Sequence, residues 1–74
     1  MITSLSKIKD GMKCRIIWLL SPSDMLRKYA SISEDDELYV LQNFGNGSVI
    51  VKFLGHSFAL SNDITARIKV EQIL

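Results

Sequence analysis

The fold of this chain is decided by the segment SVIVKFLGHSFAL at residues 48–60, followed by SNDITA at 61–66 and RIKVEQI at 67–73. Apolar residues alternate with other residues on either side of Gly55, a pattern typical of two half-buried strands joined by a tight turn. A hairpin turn at Gly55-His56, with glycine first, is predicted to be of type II′. Residues 61–66 predict a helical turn, and 67–73 a further strand. This order of elements is how a small β-barrel closes on itself.

Two further strands are predicted upstream, at about 12–19 and 38–42. In the first, Lys13 and Arg15 alternate with Cys14 and Ile16, which is the period of a strand. The alternation fails after Ile16, and we interpret this as a strand covered on both faces. The second, third and fourth predicted strands form a meander, and the fifth returns to pair with the first. The predicted fold is therefore mainly β: a small five-stranded SH3-like barrel.

One helix is predicted between the first two strands, at about residues 22–31. Ser21 is the expected cap, and Pro22 suits the first helical position. One apolar stripe is formed by Met25, Leu26, Tyr29 and Ala30. A shorter helical turn is predicted from Leu5 to Ile8, ending at a glycine, Gly11.

The composition narrows the class of protein. The 74 residues predict one domain, 1–74, and a single cysteine excludes an intrachain disulfide bond. A net charge of +1 and a pI of 7.9, without a basic run, argue against nucleic-acid binding. The longest apolar run, residues 16–20, is far shorter than the roughly 20 residues of a membrane span. We therefore expect a cytoplasmic protein that does not insert into membranes.

No catalytic constellation is visible, so no enzyme and no cofactor are predicted. Cys14 and His56 are 42 positions apart and form no metal motif. Cys14 is predicted to be a core residue, and His56 is expected at the tip of a hairpin. The acidic segment 34–37 lacks the spacing of a calcium loop, and it is predicted to be a solvated turn with at most weak divalent-cation contact.

The strand-to-helix junction is the candidate partner site. Its apolar side chains either form the core under the helix or remain partly exposed in a groove beside it, where methionine and aromatic residues suit adaptable binding. The predicted partner-binding residues are Leu19, Leu20, Met25, Leu26 and Tyr29.

The joint order of these motifs resembles the FeoA family. The matching pieces are Leu5-x-x-Ile8-x-x-Gly11, Cys14-Arg15-Ile16, the helix with Met25, Leu26 and Tyr29, Val49-x-Val51-x-Phe53-x-Gly55-His56-x-Phe58-Ala59-Leu60 and Ala66-x-Ile68-x-Val70. The family usually carries a glycine after the helix and a proline-glycine before the second strand. This chain has Ser31-Ile32-Ser33-Glu34-Asp35-Asp36 there.

The resemblance implies an SH3-like barrel that works by contact with protein. The implied partner is a FeoB-type membrane permease of ferrous-iron uptake, or its cytoplasmic GTPase domain. Two alternatives stay open at this point. One is a metal-responsive domain akin to the C-terminal barrel of iron-dependent repressors, and the other is a small-barrel nucleic-acid binder. The sequence also leaves self-association open.

Overall fold

Residues 1–73 of the chain are described by a computed structural model, in which the strands form one antiparallel sheet. The strands are β1 (Ile2–Ser4), β2 (Lys13–Leu19), β3 (Glu37–Asn43), β4 (Val49–Phe53), β5 (His56–Leu60) and β6 (Ile68–Ile73). Their order across the sheet is β1-β6-β2-β3-β4-β5. The short helices are α1 (Leu26–Tyr29) and α2 (Asn62–Thr65), with 3₁₀ turns at Leu5–Lys7 and Ser23–Met25.

This topology confirms the predicted meander and the predicted closing strand. β3, β4 and β5 pair in sequence, and β6 returns to pair with β2. The prediction of five strands was one short, because β1 pairs with the far side of β6. Three residues are too few to show an alternating pattern, and only the exposed edge of β6 makes them a strand.

The core lies on one side of the curled sheet, where the alternating residues of the strands meet. The barrel prediction requires seven residues of β4, β5 and β6 to share one interior: Val49, Val51, Phe53, Phe58, Leu60, Ile68 and Val70. They converge there, six of them buried and Phe58 packed against the rest. Fifteen buried apolar residues make up this core: Leu5, Ile8, Cys14, Ile16, Leu19, Leu26, Ile32, Leu38, Val40, Val49, Val51, Phe53, Leu60, Ile68 and Val70.

The broken alternation in β2 has a different cause from the one expected. Ile16 pairs with Val70 and Trp18 with Lys69, so Ile17 is an extra residue on its strand. Such a bulge shifts the side-chain pattern by one position. Trp18 is therefore 53% exposed, and the interpretation of a strand covered on both faces was wrong.

The β4–β5 hairpin also differs from the prediction. Phe53 pairs with His56, so the two turn residues are Leu54 and Gly55, with φ angles of 50° and 82°. Two positive φ angles define a type I′ turn, which matches the twist of the flanking strands. The predicted type II′ turn at Gly55-His56 was thus displaced by one residue.

The helix between β2 and β3 is shorter than the predicted 22–31. It consists of the 3₁₀ turn Ser23–Met25 and the single α-helical turn Leu26–Tyr29, and Pro22 precedes it after a cis peptide bond. Ser21 does not cap it. Instead the buried Ser23 hydroxyl hydrogen-bonds to the carbonyls of Leu20, at 2.5 Å, and Arg67, at 3.0 Å. These contacts fix the start of the segment to the ends of β2 and α2.

Two residues with positive φ turn the chain in the connection from α1 to β3. Ser31, at φ 56°, ends the helix, and the N–H groups of Ala30 and Ile32 both donate to the carbonyl of Leu26. Asp35, at φ 73°, turns the chain into β3 and donates its N–H to the carbonyl of Ile16. Both turns therefore use the left-handed conformation at residues other than glycine, which carries a conformational cost.

The β3–β4 loop is fastened to α2 through a close main-chain approach. The Thr65 hydroxyl donates to the carbonyl of Gly47 at 2.5 Å. A Cβ atom on Gly47, which has a φ of 95°, would lie 2.5 Å from the Cβ of Asn62. Only glycine fits at this position.

No helix within residues 1–73 is long and apolar enough to cross a membrane.

Because Gly47 approaches Asn62 so closely, its substitution by alanine should destabilise the fold more than the same change at Gly45. Gly45 has a φ of 82° but nothing within 4 Å of an added Cβ. We expect Gly45→Ala to lower the free energy of unfolding by about 1 kcal/mol through backbone strain alone. Gly47→Ala adds the steric overlap and should cost about 2–4 kcal/mol. Urea unfolding followed by circular dichroism measures both, and equal losses would contradict the close approach to α2.

Candidate functional site

The five predicted partner-binding residues divide between the core and the surface. Leu19 and Leu26 are buried, at 6% and 4% exposure, and their side chains cannot face a partner. Leu20 and Met25 are each 42% exposed, and Tyr29 is 74% exposed. Three of the five predicted residues therefore lie at the surface, and two belong to the core.

Tyr29 lines an open groove of about 540 Å³ between the end of α1 and the β4–β5 hairpin. We call this the hairpin groove. Leu20 and Met25 lie outside it. Its lining residues are Tyr29, Ala30, Ser31, Phe53, Leu54, His56, Ser57 and Phe58.

The β4–β5 hairpin supplies most of this lining, although the sequence predicted no partner-binding residue in the hairpin. Leu54 is the clearest omission, because it is 79% exposed at the turn. The available signal was an apolar residue directly before Gly55, where hairpin turns favour asparagine or aspartate. The turn predicted at Gly55-His56 placed Leu54 at the end of a strand, and this concealed the signal.

Leu54 is unfavourable in the free molecule for two independent reasons. Its φ of 50° places a branched apolar residue in the left-handed region, which costs roughly 1–2 kcal/mol. Its side chain also gains almost nothing from burial. A residue that stabilises neither the turn nor the core suits contact with another molecule, and backbone strain of this kind concentrates at functional sites.

The groove is electrically neutral along its lining. No lysine, arginine, aspartate or glutamate lines it, and His56 is its one titratable member apart from the Tyr29 phenol. The Lys28 ammonium, which is not part of the lining, lies over the Tyr29 ring at 5.8 Å from its centre. The arrangement therefore favours apolar contact with neutral hydrogen-bonding groups at the rim.

The acidic turn is committed to contacts within the chain. The Arg27 guanidinium donates to Glu34 Oε2, and the main-chain N–H of Leu19 donates to the same oxygen at 3.4 Å. Asp36 accepts from the main-chain N–H of Ser33 at 2.9 Å, and Glu37 pairs with Lys13 at 3.4 Å. These carboxylates shape the entry to β3.

The two soft metal-binding side chains occupy unrelated places. Cys14 is buried in β2, where desolvation raises the pKa of its thiol to about 11, so the thiol stays protonated at neutral pH. The prediction that it is a core residue is confirmed. His56 is exposed at the start of β5, next to the turn. In the described part of the chain, no three His, Cys, Asp or Glu side chains come together as a metal site.

Solved structures with the same architecture include two FeoA proteins. The structure of an iron uptake regulatory protein, FeoA, has a TM-score of 0.83 at 20% identity, and covers 99% of both chains. A FeoA-like protein from Clostridium acetobutylicum has a TM-score of 0.79 at 22% identity, over 99% of this chain and 88% of that one. The resemblance to FeoA is thus confirmed at the level of the fold, and so is the SH3-like architecture.

Part of a larger regulator shares this fold. A manganese-dependent transcriptional repressor has a TM-score of 0.79 at 25% identity over 97% of this chain, which spans 41% of that protein's length. No protein-family model matches the chain. No curated protein sequence matches it at a significant level.

If Leu54 is strained, its replacement by asparagine should stabilise the protein. Asparagine adopts the left-handed conformation of a type I′ turn more readily, so Leu54→Asn should raise the free energy of unfolding by about 1 kcal/mol. Leu41→Asn is the matched control, because Leu41 is 46% exposed on β3 without a positive φ. Thermal and urea unfolding should show a gain for the first variant only. A loss at Leu54 would show that this side chain stabilises the free fold.

The Arg27–Glu34 pair predicts a defined acid sensitivity. The hydrogen bond from Arg27, helped by main-chain donors, lowers the pKa of Glu34 from 4.5 to about 2. A carboxylate whose pKa is lower in the folded state stabilises that state fully above the unfolded pKa. This contribution is lost as the pH falls towards the folded pKa. Glu34→Gln should therefore flatten the dependence of unfolding free energy on pH between 4.5 and about 2.

Arg27→Met tests the cause of this shift. It keeps the length of the side chain but removes the hydrogen-bond donor, so it should flatten the same pH window as Glu34→Gln. Adding Arg27→Met to Glu34→Gln should change the slope no further, because the titrating carboxyl is already gone. Parallel profiles for the wild type and either single variant would contradict the pairing.

Proposed function

We propose that this chain is a non-enzymatic, cytoplasmic interaction module that modulates ferrous-iron transport through contact with a FeoB-type permease or its GTPase domain. The observation that carries the proposal is the FeoA fold over the whole described chain, together with an exposed apolar groove that the free molecule does not fill. A small barrel with such a groove can bind another protein through the shape of its surface. The described side chains give it no arrangement suited to bond-making.

The contact is proposed to involve the hairpin groove. Leu54 and Tyr29 are the most exposed apolar side chains of the lining, at 79% and 74%. Tyrosine is a typical anchor of protein interfaces, and Leu54 adds exposed apolar area beside it. Leu20 and Met25 lie outside the groove, and each is 42% exposed, so they offer further apolar surface on the segment that leads into α1.

Binding to a purified FeoB-type cytoplasmic GTPase domain tests the proposal. Isothermal titration calorimetry with the domain loaded with GDP or with a non-hydrolysable GTP analogue should show binding in at least one state. Tyr29→Ala and Leu54→Asn should each weaken it by at least ~10-fold, because each removes an interface anchor.

Leu54→Asn is the decisive variant here, because it should gain stability while it loses affinity. Misfolding cannot then explain the loss. Leu41→Asn, on β3 and outside the groove, should bind like the wild type. Absence of binding in both nucleotide states would overturn the proposed partner, and unchanged binding by both groove variants would overturn the proposed surface.

A metal-responsive role is the second candidate, favoured by the likeness to part of a manganese-dependent repressor. The donors within residues 1–73 give it little support, since no three of them converge. Calorimetric titration with ferrous iron, manganese and zinc separates the two candidates. Dissociation constants weaker than about 1 mM would remove the metal-responsive role.

A further inference from the structure

The outer edge of β5 has no main-chain partner in the described chain. β5 is the last strand of the sheet and pairs with β4 alone. None of the described main-chain hydrogen bonds outside the sheet reaches residues 56–60. The hairpin groove borders part of this edge, at His56–Phe58, with residues 29–31 on its far side. This groove, of about 540 Å³, leaves space beside residues 56–58 for an approaching backbone.

The register determines which groups point outwards. In a two-residue hairpin the closing pair, Phe53 and His56, exchanges both main-chain hydrogen bonds. Hydrogen-bonded and non-bonded pairs then alternate along the ladder. The N–H and C=O groups of Ser57 and Ala59 therefore face away from β4. Both residues are exposed and have small side chains, which permits close approach of a second strand.

The edge also lacks the protection that free edges usually carry. Natural sheets guard an exposed edge with charged residues, proline, a bulge or a very short strand. β5 is HSFAL, with no charged residue and no proline, and its pairing with β4 is regular. The opposite edge, β1, is only three residues long.

We propose that β5 is a self-association strand that pairs antiparallel with β5 of a second copy of this chain. The outward-facing residues, Ser57 and Ala59, lie symmetrically about Phe58. A two-fold axis through Phe58 therefore sets Ser57 opposite Ala59 of the second copy, and all four outward N–H and C=O groups on each strand edge find partners. No other register satisfies every outward group of so short a strand.

The side chains agree with this pairing. The axis places the two Phe58 rings as a directly opposed cross-strand pair, an arrangement that stabilises antiparallel strands. No like charges face each other along the strand, because β5 carries none apart from the titratable His56, which lies opposite Leu60 of the second copy. The pairing makes one continuous sheet from two molecules and borders the hairpin groove of each.

The dimer is weak and transient, because two five-residue strands bury much less than a standard interface of about 1,600 Å². We expect a dissociation constant between roughly 10 µM and 1 mM. Sedimentation equilibrium of the purified chain from about 20 µM to about 2 mM should show a monomer–dimer equilibrium. Over the same range, amide exchange at Ser57 and Ala59 should slow with concentration, whereas the amide of Phe58, bonded to β4, is protected throughout.

Ala59→Pro removes only the outward N–H, and proline is tolerated on an edge strand. It should weaken dimerisation by at least ~10-fold, because the two-fold axis duplicates the lost hydrogen bond. Ala59→Ser keeps the N–H and should dimerise like the wild type. Ala59→Lys is an exposed change that leaves the ladder with β4 intact, and it should also weaken dimerisation. If the proline variant fails to fold, the lysine variant tests the β5 pairing in its place.

A monomer at about 2 mM would overturn the proposal, and so would a dimer in which the Ser57 and Ala59 amides exchange as in the monomer. Protection of those amides by a different protein, without self-association, would assign the edge to that partner instead. These outcomes are independent of the proposed iron-transport role, because the purified chain alone is measured.

Discussion

The antiparallel pairing of β6 with β2 is the interaction on which the rest of the structure depends. It joins residues 13–19 to residues 68–73 across nearly the whole length of the chain. Through it Ile68 and Val70 complete a core that Ile16, Val40 and Val51 leave open. β6 also provides the edge on which β1 forms. Such long-range pairing is entropically costly to close, so the core must be gained in the same step.

A barrel closed in this way has no internal space for a binding site among residues 1–73, so any binding must take place at its surface. The interior is filled by apolar side chains, and the cysteine lies among them as a protonated thiol. The acidic turn is used to shape the loop before β3. What remains free is an apolar groove, an exposed leucine held in a strained turn and an unprotected strand edge. All three are features of recognition, and they adjoin one another around the β4–β5 hairpin.

The connection from α1 to β3 turns at two residues other than glycine. Ser31 and Asp35 both take left-handed conformations there. Polar residues with short side chains pay less for this conformation than apolar ones. By the same reasoning, Leu54 is the exception among the three positive-φ residues other than glycine, and at 79% exposure its side chain gains little from burial in return.

The sequence by itself determined the strands from β2 onwards, their order, the burial of Cys14 and the inward-facing residues of β4, β5 and β6. These follow from local periodicity, which each segment carries independently of its neighbours. Only the tertiary structure decided the bulge at Ile17, the turn at Leu54-Gly55, the short helix and the burial of Leu19 and Leu26. The physical reason is that each of these depends on how segments pair in register or pack against the rest of the fold. A shift of one residue exchanges the inner and outer faces of a strand, and no local pattern reports it.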